Sequence, residues 1–307
     1  MKYIMFVLAA LVVTSCQYDL NKDGVSTGKL KIGIDDSYSL MMQSQIFTFE
    51  KIYAHAKVSP MYEPEAEVIQ ALLDDSIQAA IVSRPLTEAE VAMFNSKQRF
   101  PESLKIATDG IAFIVNPENP DSVFTMDQLQ QVFNGDLVKW SDVHASSDLN
   151  EIKVVFDNNK SCNARSIKEK FLGERAFPAN CFAVNSNEEV INFVNTNKNA
   201  MGVISVSWLS DPEDSTTRSF MKRVKLVGLI DPANKVDPEM PRKPYQAYIY
   251  DQTYPLRRDV WAIRTGLKAT LGTGFVSHLA GEKGQLIIHK MGMVAATAPV
   301  RAIKITE

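Results

Sequence analysis

The stretch Val155–Ser166, VFDNNKSCNARS, moves from apolar residues into a run of short polar ones. It reads as a strand ending near Phe156, followed by a helix that begins after Ser161. The first turn of a helix carries N–H groups without intrahelical partners, and its dipole favours negative charge, so such a junction suits an anion. Ser161 is placed to cap this helix and Asn163 to donate a hydrogen bond. Lys160, Arg165 and Lys168 crowd the same turn, where positive charge opposes the dipole. A bound anion would relieve that conflict; three solvated side chains would bear it at a few tenths of a kcal/mol each.

Other chemistry is thinly represented. The four histidines, His55, His144, His278 and His289, lack metal-ligand spacing. Gly24-Val25-Ser26-Thr27-Gly28 matches the G-x-S-x-G nucleophile elbow in letters, but a polar tether precedes it where the elbow needs a strand. Asp74-Asp75 ends a helix and reads as solvated. We therefore expect no enzyme activity, no metal and no cofactor. The formal net charge is -3 and no basic run is interleaved with aromatic residues, which argues against nucleic acid. Trp140, Trp208 and Trp261 are expected to pack inside the protein and not to stack on a ligand.

The elements that would position these residues alternate. Leu30–Ile34 is a short strand, and Met42, Ile46, Phe49 and Tyr53 recur at helical spacing. Pro64 opens a helix carrying Val68, Ile69, Leu72 and Leu73. Ala79–Ser83 reads as a buried strand, and Thr87-x-x-Glu90 as a capping box. Ile111–Val115 is again a buried strand. Thr125-x-x-Gln128 caps a helix stopped by Gly135; Ile152–Phe156 is a strand. Ser186-x-x-Glu189 caps the next helix, and Met201–Ser205 is a strand. Val260–Thr265 reads as extended, Ala269–Ala280 as helical and Arg301–Ile305 as extended. This order predicts α/β layers with largely parallel sheets, and the length of 307 residues favours two lobes over one.

The N-terminus stands apart. Lys2 precedes an apolar run, Ile4–Val13, which is too short for a membrane span of roughly 20 residues but suits a signal peptide. Val13-Thr14-Ser15-Cys16 resembles a bacterial lipobox, which implies a signal peptide over 1–15 and acylation of Cys16. Two or more acyl chains would anchor the protein stably to a membrane. Residues 16–28 then form a flexible tether. An exported setting permits a disulfide between Cys162 and Cys181; we expect two unpaired, partly buried thiols.

Several segments in one order carry a family resemblance. Phe133, Gly135 and Trp140 in VFNGDLVKWSDV fit a "Phe-x-Gly-x-x-x-x-Trp" segment. Ser83-Arg84-Pro85-Leu86 is similar to a "Ser-Arg-x-Leu" turn, and Asp109–Pro117 to an "Asp-Gly-strand-Asn-Pro" crossover. Ala200–Ser205 resembles an "Ala-Ile-Gly-Tyr-Val" strand and Tyr254-Pro255-Leu256-x-Arg258 a "Tyr-Pro-Leu-x-Arg" strand. Gly281–Gln285 resembles the C-terminal helix end. Together they resemble the phosphate-binding proteins of the Pst ABC transporter over roughly residues 29–305.

That resemblance implies a two-lobed periplasmic-binding-protein fold of type II, with two crossovers and a ligand cleft. Lobe one would span 29–114 plus 246–307, and lobe two 115–245. It implies a monomeric, extracytoplasmic receptor for phosphate or a related oxyanion, serving an ABC permease. The residues expected at the ligand are Ser37, Ser39, Ser83, Arg84, Asp109, Ser161, Asn163 and Arg165. Asp35, Asp36, Asp109 and Asp157 are all candidates to accept a ligand proton. This chain departs from the family in three places. Asn158 stands where an Arg is usual. Asp35-Asp36 sits in the first loop, and Glu63-Pro64-Glu65 replaces a Ser/Gly loop, with both glutamates expected to serve the helix dipole from outside. A non-transport lipoprotein that senses or binds a partner is the alternative reading.

Overall fold

The computed structural model describes residues 23–211, 213–265 and 269–297. The expected signal peptide, Cys16 and the strand expected at Arg301–Ile305 lie outside them. Gly24–Thr27, read above as the end of a tether, forms a tight turn closed by Gly24 and Thr27. It leads straight into strand β1, Gly28–Asp35, whose first amide bonds to His55.

A large bent sheet organises the chain, with a separate two-stranded sheet formed by Val123–Thr125 and Gly228–Ile230. β1 lies between two parallel neighbours, β2 (Ala56–Glu63) at the edge and β3 (Ala79–Val82) inside. β2 was not foreseen, because Pro60 interrupts its sequence; an edge strand tolerates proline since one side of its ladder faces away from the sheet. Beyond β3 come Arg257–Arg264 and then β4, Glu102–Val115, both antiparallel to their neighbours. Ala200–Ser205, Lys153–Phe156 and Cys181–Ala183 complete the order. The sheet is thus mixed, and parallel only away from its centre.

β4 explains the bend. Its first part, Glu102–Gly110, pairs with Arg257–Arg264, and its second, Ile111–Val115, pairs with Ala200–Ser205. The change of partner falls at Asp109, Gly110 and Ile111. Tyr254 donates its hydroxyl proton to the Ile111 carbonyl at 2.6 Å there, and Arg258 is bound to Asp109. Both sequence motifs of the crossover therefore meet at one junction.

Helices cover both halves with the caps that their sequences announce. Thr87 and Glu90 bond reciprocally at the start of Glu88–Ser96, and Thr125 and Gln128 do so at Met126–Asn134. Each such cap contributes about 1 kcal/mol. Gly135 ends the latter helix at φ 81°, a left-handed conformation that glycine adopts without strain. Phe113, Phe133, Phe156 and Phe171 fill the core beneath it. Trp140 and Trp208 are buried and Trp261 is half-buried. Trp140 donates to the Asn199 carbonyl and Trp208 to that of Ser37, so both indoles pack with their N–H groups satisfied.

Candidate functional site

Three helical segments begin at the junction between the two halves of the sheet. Asp36–Tyr38 follows β1, Glu65–Leu73 follows β2, and Cys162–Ile167 follows the strand Lys153–Phe156. The Cys162–Ile167 segment continues through Lys168–Leu172, so it is a longer helical run than its first turns suggest. Their first N–H groups converge.

What they converge on is a side chain. Asp35, the last residue of β1, is fully buried. Its Oδ1 accepts from the Ser37 amide at 2.9 Å and the Cys162 thiol at 3.0 Å. Its Oδ2 accepts from the Glu65 amide at 2.8 Å and the Cys162 amide at 3.0 Å. Each oxygen thus takes two donors, which is the pattern of an ionised carboxylate. Burial, then the charge of Glu65, push the Asp35 carboxyl up from its ordinary range, while the Cys162 and Ser37 bonds pull it down. Burial likewise lifts the Cys162 thiol well above its usual value, so it serves as a neutral donor.

Glu65 corrects the expectation that it serves the dipole from outside. It is 2% exposed and turned inward. Its Oε1 accepts from the Ser83 amide at 2.6 Å and the Ser83 hydroxyl at 2.8 Å, and its Oε2 from Arg165 Nε at 2.5 Å. Burial alone would raise its carboxyl; the Arg165 charge and these bonds outweigh burial and hold it below the ordinary value. Arg165 also donates to Ser83 and, through Nη1, to both oxygens of Glu169. Two of the three crowded cations are therefore met by the protein's own acids: Arg165 by Glu65 and Glu169, and Lys160 by Glu67 at 2.6 Å.

A third buried acidic residue lies beside this cluster. Asp157 is buried and accepts from Ser161 Oγ at 2.7 Å and from Asn163 Nδ2 at 3.2 Å. Burial, then the nearby Asp35 charge, push its carboxyl up to about 7 against the pull of the Ser161 and Asn163 bonds. Asn187, at the start of Asn187–Thr196, bridges Asp36, Asp157 and Asn163. Its amide donates to Asp36 Oδ2 at 3.0 Å.

Of the eight residues expected at a ligand, Ser37, Ser83, Ser161, Asn163 and Arg165 fall in this network. Ser39 is buried at the first position of Ser39–Ile52 and takes no part in it among the described residues. Arg84 turns away, with both terminal nitrogens on the Glu90 carboxylate at 2.8 Å. The charge expected of Arg84 is delivered by Arg165 instead. Asp109 sits at the crossover, where Arg258 donates to it twice and Ser205 once. It is committed to that ion pair. Asn158, the position expected to replace an Arg, makes only a local turn with the Lys160 amide; the buried side chain there is its neighbour Asp157. Cys162 and Cys181 are both free thiols, as expected.

Cys162, Asn187, Ser207 and Arg258 belong to the junction although none of them is expected at a ligand from sequence. Ser207 Oγ donates to the Ser37 carbonyl at 3.1 Å, tying the first loop to the other half of the sheet. Asn187 had a visible signal, since it follows the capping Ser186; the others depend on distant partners.

An open cleft of about 860 Å³ borders the network, lined by Asp36, Glu63, Glu67, Asp157, Lys160 and neighbouring residues. Its rim carries more acids than bases.

Comparison with known proteins accords with this architecture. The chain is 25% identical over 214 residues to the phosphate-binding protein PstS of Borreliella burgdorferi, covering 67% of this chain and 71% of that one. It is 28% identical over 119 residues to PstS 2 of Streptococcus agalactiae, 39% of each chain. A putative phosphate ABC transporter substrate-binding protein from Clostridium perfringens superposes with a TM-score of 0.72 at 19% identity, covering 88% of this chain and 100% of that one. An ABC-type phosphate transport receptor from Vibrio cholerae gives 0.63 at 23% identity, covering 86% and 99%. The fold is the two-lobed periplasmic-binding-protein fold that the sequence resemblance implied. The family model described as a PBP superfamily domain matches residues 21–283, and the chain belongs to that superfamily.

Proposed function

We propose that this protein is an extracytoplasmic solute-binding protein of an ABC importer, binding phosphate or a similar oxyanion in the cleft between its two lobes. The carrying observation is the convergence of the Ser37, Glu65 and Cys162 amides, from both halves of the sheet, on one carboxylate. Donors that hold a carboxylate also suit the oxygens of phosphate. The lobes span 29–114 plus 246–307 and 115–245, and the chain works as a monomer. Hinge closure at β4 shifts the open and closed populations by the ligand's preference for the closed form. Cys16 carries the lipid anchor; among the described residues no helix is long and apolar enough to cross a membrane.

A second reading is favoured by one specific observation: the amide cluster already holds Asp35. A lipoprotein that keeps the fold for sensing or partner binding would not need that position free. Calorimetric titration with phosphate and then sulfate separates the two. Phosphate binding with sulfate ignored supports the receptor. Silence toward both, in the wild type and in a variant lacking the Asp35 carboxylate, moves the protein to the second reading.

A further inference from the structure

We propose that Asp35 is a built-in substitute for the solute: it holds the lobes closed without a ligand and decides which anions gain entry. The oxyanion part rests on the reading above; the closing part does not.

The side-chain contacts that gather around Asp35 and Glu65 at the junction run in one sense, although the Ala66 amide donates the other way, to the Lys160 carbonyl, and Lys290 pairs with Glu213 at the surface. The first lobe supplies carboxylates, namely Asp35, Asp36, Glu65 and Glu67. The second lobe answers with donors: the Cys162 amide and thiol, the Asn187 amide, Arg165 and Lys160. In a receptor that closes on an anion, the anion would bring that negative charge. Here the protein brings its own, and Asp35 takes the central place with all of its acceptor capacity used. A free oxyanion reaching the same amides has to displace it, so Asp35 sets a threshold that only a better acceptor crosses.

Cys162 gives a direct readout. Its Sγ lies 3.0 Å from Asp35 and 3.3 Å from Ser37 Oγ, fully buried where the lobes meet. In the full chain carrying Cys16→Ser and Cys181→Ser it is the only thiol. We expect N-ethylmaleimide to label it slowly without phosphate. Asp35→Ala and the near-isosteric Asp35→Asn are expected to label at least about 10-fold faster, because the open form becomes populated. Their radius of gyration by small-angle scattering should rise, a measure independent of thiol chemistry. Millimolar inorganic phosphate should restore both protection and compactness in these variants.

The outcomes separate cleanly. Opening that phosphate fails to reverse leaves the latch standing and removes the oxyanion reading. A scattering radius that stays closed in both variants overturns the latch, whatever phosphate does. If neither variant folds, the wild type still decides: its scattering should be compact alone and unchanged by phosphate, and compaction on adding phosphate would show that Asp35 holds nothing shut.

Discussion

Arg165 and Glu65 meet at 2.5 Å although they come from opposite sides of the junction, and their exposure is unequal: 26% for the Arg165 side chain and 2% for that of Glu65. Loss of either partner therefore has a different cost. Without Arg165, a buried carboxylate keeps only Ser83. Without the Glu65 charge, a partly exposed guanidinium keeps Glu169. We expect Arg165→Met to cost about 3 kcal/mol and Glu65→Gln about 1–2 kcal/mol, the smaller figure being discounted for solvent screening. Urea unfolding of the two variants checks the order; the reverse order would contradict the asymmetry.

The Asp109–Arg258 pair lies at the change of partner in β4, with both side chains buried and Arg258 stacked over the Tyr38 ring. Asp109→Asn leaves Arg258 charged and under-compensated. Removing one member of a buried pair costs about 3–5 kcal/mol. Denaturant unfolding should show a loss of that size, and a loss near zero would mean that the pair is not what secures the crossover.

Asp157 predicts a pH dependence. Its folded carboxyl sits at about 7, above the ordinary 3.8 that the unfolded chain retains, so the fold binds this proton more tightly than the unfolded chain does. That contribution is complete below the unfolded value and is lost as pH rises from about 4 through about 7. Glu65 and Glu90, held below their ordinary values, contribute in the opposite sense and weaken as pH falls. The comparison that isolates Asp157 is wild type against Asp157→Asn. The variant should lose less stability than wild type between pH 4 and pH 7; parallel curves would refute the assignment.

Gly202 illustrates a packing constraint inside the family-like strand. A Cβ there would sit 2.6 Å from Val190, 2.8 Å from Ile114 and 2.9 Å from Val194. All three are buried and branched, so none can yield freely. Overpacking of this kind costs about 1–3 kcal/mol. Gly202→Ala should lower the thermal midpoint while leaving the helix Asn187–Thr196 formed by circular dichroism. An unchanged midpoint would mean that the helix shifts at no cost.

The fold was largely legible because its signals are local. Thr87 with Glu90, Thr125 with Gln128, and Gly135 each announce a helix boundary within four residues, and each does what its spacing implies. The site was legible only as a place. Asp35 reads as one of four candidates to accept a ligand proton and Glu65 as serving the helix dipole from outside, whereas both turn inward and act as acceptors within the protein. That reversal depends on Cys162, 127 residues from Asp35, and Arg165, 100 residues from Glu65, and no local pattern carries it. Arg84 and Arg165 look equivalent as charges; Glu90, six residues from Arg84, settles which one is spoken for. β2 was hidden because its alternation is broken by Pro60 and its stability comes from its neighbour.

The place of Arg257–Arg264 in the sheet has a consequence for how the protein is made. This strand separates β3 from β4, yet it is synthesised after every other strand on the sheet's main path. Until it arrives, both of those strands present open edges, which are templates for pairing with other chains. The segment between β4 and Tyr254 has its own strands and helices and can gather first, while the earlier half waits for a piece that arrives last. Sequence-distant pairing of this sort slows folding. The interval before residues 257–264 dock is when a chaperone that shields strand edges would matter most.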